Sequence, residues 1–185
     1  TKECTCFYAR VLDTHLEQAA DILCDMFFHS RFDDADVETE RGVILEEIGM
    51  YEDNPEDLCA ERLAARVFRG TPLARPILGR KATLEKMDGA WLRDYQRRHY
   101  GPDRIVVALA GSFTDAHVAD LAERFSGLER RSAPVGRPAF YTPGVTVRKK
   151  AIEQNHLTLA FPGLPLSDPR RFTLQLLSSI LGGGM

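Results

Sequence analysis

The stretch from Arg131 to Gly144, RSAPVGRPAFYTPG, sets the strongest limit on how this chain folds. It holds three prolines and two glycines with no hydrophobic period, which is the composition of a linker. Each proline fixes φ and removes a backbone donor, so the run interrupts helix and sheet alike. Beyond it, Val145 to Lys149 and His156 to Phe161 are expected strands. Asp168-Pro169 opens a helix through Phe172, Leu176 and Ile180. Two strands and one helix do not enclose a core. The expected division is residues 1–130 as one domain, 131–144 as a linker, and 145–185 as the truncated start of a second domain.

Upstream of the linker, Cys4 to Leu12 (CTCFYARVL) is rich in β-branched and aromatic residues and predicts a strand. Thr14 then predicts the cap of a helix carrying Leu16, Ala19, Ala20, Leu23 and Phe27. The carboxylates Asp33, Asp34 and Asp36 suit the first turn of a second helix running to about Asp53, where Asn54-Pro55 stops it. Pro55 in turn suits the opening of a third helix, closed by Gly70 and Pro72. Pro72 to Gly79 reads as loop, and Ala82 to Tyr100 as a short and a longer helix broken near Asp88-Gly89. Ile105 to Ala110 (IVVALA) reads as a buried central strand, and Asp115 to Phe125 as a final helix. The class expected from this order is α+β, a mostly antiparallel sheet with helices packed on one face, followed by the start of a second domain of the same kind.

A formal net charge of −3 gives no electrostatic footprint for nucleic acid. No apolar run approaches the length of a membrane span, and the first residues lack a signal peptide's charged and apolar segments. The chain begins mid-pattern without Met, so the lack of a targeting segment does not decide the compartment: the cytoplasm is the expectation, and the periplasm stays open. Cys4, Cys6, Cys24 and Cys59 form no C-x-x-C pair, and read as small core hydrophobes in a reducing compartment rather than metal ligands.

The second expected helix carries the chemistry. At 100° per residue, Val37, Ile44, Ile48 and Tyr51 group together, with Val43 and Met50 further round. Glu40 and Glu47 fall in the gap between these groups, nearly eclipsed and about 10 Å apart along the axis. Glu38, Glu46 and Glu52 lie outside or at the edge of the apolar sector and read as solvated. A buried carboxylate needs a compensating partner. The wheel leaves three readings open: boundary positions whose heads reach water, a salt bridge to an arginine such as Arg10 or Arg62, or service to a metal.

The run HLEQAADILCDMFFHSRFDDADVETERGVILEEIGMYEDNPEDL, with TPLARPILG and WLRDYQRRHYGPDRIVVALAG after it, resembles the first domain of the pitrilysin and mitochondrial-processing-peptidase family of zinc metallopeptidases, chiefly its bacterial branch. The likeness spans about residues 1 to 130. Its most specific part is E-R-x-V-I-L-E-E-I, because the family places an acid seven positions before its zinc-binding glutamate. The resemblance implies that Glu47 is a zinc ligand and that Glu40 orients a ligating histidine. It also implies two histidines and a general-base glutamate in an H-x-x-E-H motif. None of the histidines at 15, 29, 99, 117 and 156 begins that motif, which the resemblance places upstream of Thr1.

The implied activity of the intact protein is zinc-dependent cleavage of extended peptides or presequences, with the substrate added as a strand to a sheet edge. This chain alone is expected to be inert and to hold no zinc, since one carboxylate falls short of three protein ligands. The implied partners are a peptide substrate and, for the chain itself, a homodimer or a paired subunit. The rival reading is a non-catalytic peptide-binding or scaffold subunit of the same fold. Gly182-Gly183-Gly184 is read as a turn, His99 as a capping or packing residue, and Arg97-Arg98 and Arg130-Arg131 as solvated charges.

Overall fold

The computed structural model describes residues 1–129 and 138–183. The first half of the proline-rich stretch, 131–137, lies outside the described residues, as do Arg130, Gly184 and Met185. Seven α-helices follow in order: α1 (Leu16–Phe28), α2 (Asp34–Asp53), α3 (Pro55–Val67), α4 (Lys81–Leu84), α5 (Gly89–His99), α6 (Asp115–Ser126) and α7 (Arg171–Ser178). Short 3-10 turns at Asp13–His15, Pro72–Ala74 and Pro102–Arg104 punctuate them.

The helix boundaries follow local chemistry. The Asn54 side chain accepts from the Glu56 amide at 3.1 Å, so the residue pair that ends α2 also caps α3. Asp88 accepts from the Trp91 amide at 2.7 Å and starts α5. At α6, the Thr114 amide donates to His117 Nδ1 at 3.0 Å, a reciprocal cap built with histidine. Thr14 does not cap α1. It lies inside the 3-10 turn, and His15 takes the capping position without a side-chain bond.

The α+β expectation is corrected here. Among the described residues every regular element is helical and no strand pairing occurs. Cys4–Leu12, Ile105–Ala110, Val145–Lys149 and His156–Phe161 carry strand composition, but each lacks a ladder of backbone bonds to a neighbour. An apolar β-branched run makes a segment fit to pair; it does not supply the chain that must lie beside it, about 4.8 Å away.

The chain divides into two compact units, Thr1–Asp53 with Arg75–Arg137, and Asn54–Ala74 with Pro138–Met185. In the first, Phe27 of α1 stacks on Tyr100 with ring centroids 5.4 Å apart and meets Phe125 of α6 at 5.5 Å. Arg124 of α6 bridges Asp21 of α1 at 2.5 Å and Asp120 at 2.7 Å. Cys24 is the buried thiol of this unit, while Cys4 and Cys6 are exposed, contrary to their expected place in a core. In the second unit, the Val67 carbonyl at the end of α3 accepts from the Thr142 amide at 2.7 Å, and Arg66 donates to the Pro143 carbonyl at 2.7 Å. Half-buried Cys59 accepts from the Thr158 hydroxyl at 3.2 Å.

Candidate functional site

Helix α2 presents Glu40 and Glu47 as its spacing requires, on one flank and two turns apart. The covered face of the helix consists of Val37, Arg41, Ile44, Leu45 and Ile48, all half-buried. Glu40 and Glu47 lie beside that face and both are exposed. Val43 is 47% exposed and Met50 71%, so the apolar sector drawn from the sequence is only partly covered. The two acids therefore carry no burial cost in this structure. Among the described residues neither makes an ion pair, so the arginine partner of the second reading is not found. Glu38 and Glu46 are also exposed, as read, with Glu38 paired to Arg41.

A catalytic zinc takes three protein ligands and an open position. Among the described residues no group of three His, Cys, Asp or Glu side chains comes together. Glu47 supplies one oxygen donor of a type zinc accepts, and the described residues do not complete a zinc site. The histidines serve other ends: His99 stacks on Tyr95 at 4.3 Å, His117 caps α6, and His29 pairs with Asp25 at 2.9 Å. Arg97 and Arg98 are exposed as expected and both engage Asp94. Those bonds, the Arg97 hydrogen bond foremost, hold the Asp94 carboxyl below the usual carboxylate range. A cavity of about 630 Å³ lies between the N-terminal residues, α1 and Ile105–Leu109; neither candidate acid lines it.

The hold on α2 was not anticipated from the sequence. Arg41 Nε donates to the Leu84 carbonyl at 3.1 Å, and the same guanidinium donates to the Met87 carbonyl and to Glu38. At the start of the helix, the Gly89 amide donates to Asp34 Oδ1 at 2.9 Å, and Arg93 donates to the carbonyls of Arg31 and Phe32, each at 2.9 Å. The available signals were an arginine inside the E-R-x-V-I-L-E-E-I run and the Asp88-Gly89 break.

Residues 1–81 match the family model described as insulinase (peptidase family M16), and residues 87–185 match the peptidase M16 inactive domain. The second match alone spans more than half of the chain, and the chain belongs to peptidase family M16. Over its whole length it is 42% identical to the uncharacterized zinc protease YmxG of Bacillus subtilis and 39% identical to an uncharacterized zinc protease of Streptomyces coelicolor. It covers 46% and 42% of those two proteins, so it spans less than half the length of the curated relatives it matches. Its fold resembles that of a chain in complex III2 from Candida albicans with Inz-5 bound, with a TM-score of 0.57 and 18% identity. The likeness covers 71% of this chain and 32% of that one. Among the described residues no helix is long and apolar enough to cross a membrane.

Proposed function

We propose that this chain is part of a zinc-dependent endopeptidase that cleaves extended peptides or presequences, with Glu47 as one metal ligand and Glu40 as the carboxylate that orients a ligating histidine. The observation that carries this reading is the free flank of α2. Two carboxylates project from it without ion pairs among the described residues, beside uncovered Val43 and Met50. An unoccupied flank with that chemistry suits an apolar helix bearing nitrogen ligands, and family membership together with relatives named zinc proteases supports it. The histidines and the general-base glutamate belong, in this reading, to residues upstream of Thr1. Four free cysteines accord with a reducing compartment such as the cytoplasm.

A second reading, a non-catalytic peptide-binding or scaffold subunit acting in a homodimer or a subunit pair, is favoured by the match of residues 87–185 to an inactive domain. Metal analysis and peptide hydrolysis on the intact protein separate the two. The first reading expects about one bound zinc, most of it lost in Glu47→Gln, and a 10- to 100-fold weaker affinity in Glu40→Gln. An intact protein without zinc supports the scaffold. A Glu47→Gln variant that keeps both zinc and hydrolysis removes Glu47 from the site.

A further inference from the structure

Arg41 is the one charged residue on the covered face of α2. Its side chain is only 18% exposed, whereas that of its acidic partner Glu38 is 71% exposed. The guanidinium is a planar fork. Here one prong meets the Leu84 carbonyl at 3.1 Å, and another meets the Met87 carbonyl. Leu84 is the last residue of α4 and its carbonyl also accepts from the Met87 amide at 3.0 Å, so Arg41 adds a second, long-range donor that ties this helix end to α2. Two carbonyls three residues apart, gripped by one rigid group, fix a direction as well as a distance.

A second anchor lies seven residues earlier, where Asp34 accepts from the Gly89 amide and Arg93 holds the carbonyls of Arg31 and Phe32. One anchor at the start of a helix leaves it free to rotate about its axis; a second, about 10 Å along, removes that freedom. Glu40 directly precedes Arg41 in sequence, and Glu47 lies less than two turns beyond it.

We propose that Arg41 is a positioning residue: its fork on the 84 and 87 carbonyls sets the rotation of α2 and thereby the direction in which Glu40 and Glu47 project. The consequence for metal binding rests on the assignment of Glu47 above. At a side-chain radius of about 6 Å, a helix rotation of roughly 10° carries a carboxylate about 1 Å. A ligand or a substrate-positioning group displaced that far costs on the order of 100-fold in rate.

The test uses the intact protein. Arg41→Lys keeps the charge and the aliphatic stem and loses the fork, and Arg41→Gln keeps a donor and loses the charge. Zinc affinity by competition with a chelator, kcat and KM for a peptide, and the thermal midpoint are measured for both, with Glu47→Gln alongside. The expected result for both Arg41 variants is zinc affinity weaker by about tenfold or more, with kcat reduced and KM little changed. That loss should exceed what any shift in thermal midpoint accounts for. Arg41 variants that bind zinc as the parent does, whether or not their thermal midpoint falls, overturn the proposal while Glu47→Gln loses zinc. If Glu47→Gln also binds zinc normally, the assignment of Glu47 fails instead, and the two failures are told apart by that one variant.

Discussion

At the residue scale, Gly89 makes the sharpest demand. A Cβ placed there lies 2.0 Å from the Phe32 carbonyl oxygen and 2.9 Å from Asp34 Oδ1. Phe32 itself sits at φ 49°, a left-handed conformation unusual for a bulky residue, which turns its carbonyl and that of Arg31 toward Arg93. Gly89→Ala therefore forces backbone from backbone, and overpacking of this kind costs about 1–3 kcal/mol. Thermal unfolding should register that loss, and amide exchange should quicken in the first turn of α2. The intact protein carrying Gly89→Ala with the parent's midpoint would mean that the close approach is not kept in solution. The Gly89 contact was not legible in the sequence. Asp88-Gly89 reads as a helix break, and a break announces a change of direction without naming the backbone that passes beside it.

At the element scale, α2 and α5 show where periodicity succeeds and where it stops. Asp34–Asp53 and Pro55–Val67 appear where the capping acids and Asn54-Pro55 place them. The acid pair on one flank of α2 was equally legible, because helical geometry alone decides which residues are eclipsed. Its burial was not. The wheel counts apolar residues, whereas the covered face is centred on Arg41, held by carbonyls 43 and 46 residues away in sequence.

The strands failed for a related reason, since pairing depends on a neighbour that no local pattern encodes. On α5, Asp94 accepts from Arg97 at 2.5 Å and lies 2.7 Å from Arg98, with its carboxyl held below the usual range. A folded-state value below the unfolded one stabilises above the unfolded value, near pH 3.9, and the benefit is lost as pH falls through the lower folded value. In the intact protein, the difference in unfolding midpoint between the parent and Asp94→Asn should stay constant from neutral pH to about pH 5 and shrink below about pH 4. A difference that grows on acidification would contradict the sign.

At the scale of the whole molecule, the described residues cover little apolar surface within either unit. Cys24 and Val67 are the buried hydrophobic residues among those described. Apolar side chains stand open in both units: Val106 is 90% exposed in the first, and Val145 86% and Leu166 85% in the second. So little buried area does not offset the entropy of ordering a chain this long. The 185-residue chain by itself should bind a hydrophobic dye strongly and melt over a broad range; a sharp two-state melt without dye binding would contradict this. The two relatives it matches at 42% and 39% identity are each more than twice its length.

The direct test of Glu47 is X-ray absorption at the zinc edge on the intact protein, comparing the parent with Glu47→Gln and with Glu46→Gln, the adjacent acid outside the site. The parent and Glu46→Gln should share a shell of nitrogen donors with a carboxylate oxygen, and Glu47→Gln should lose that oxygen or the zinc altogether. A zinc shell in Glu47→Gln identical to the parent's would contradict the assignment.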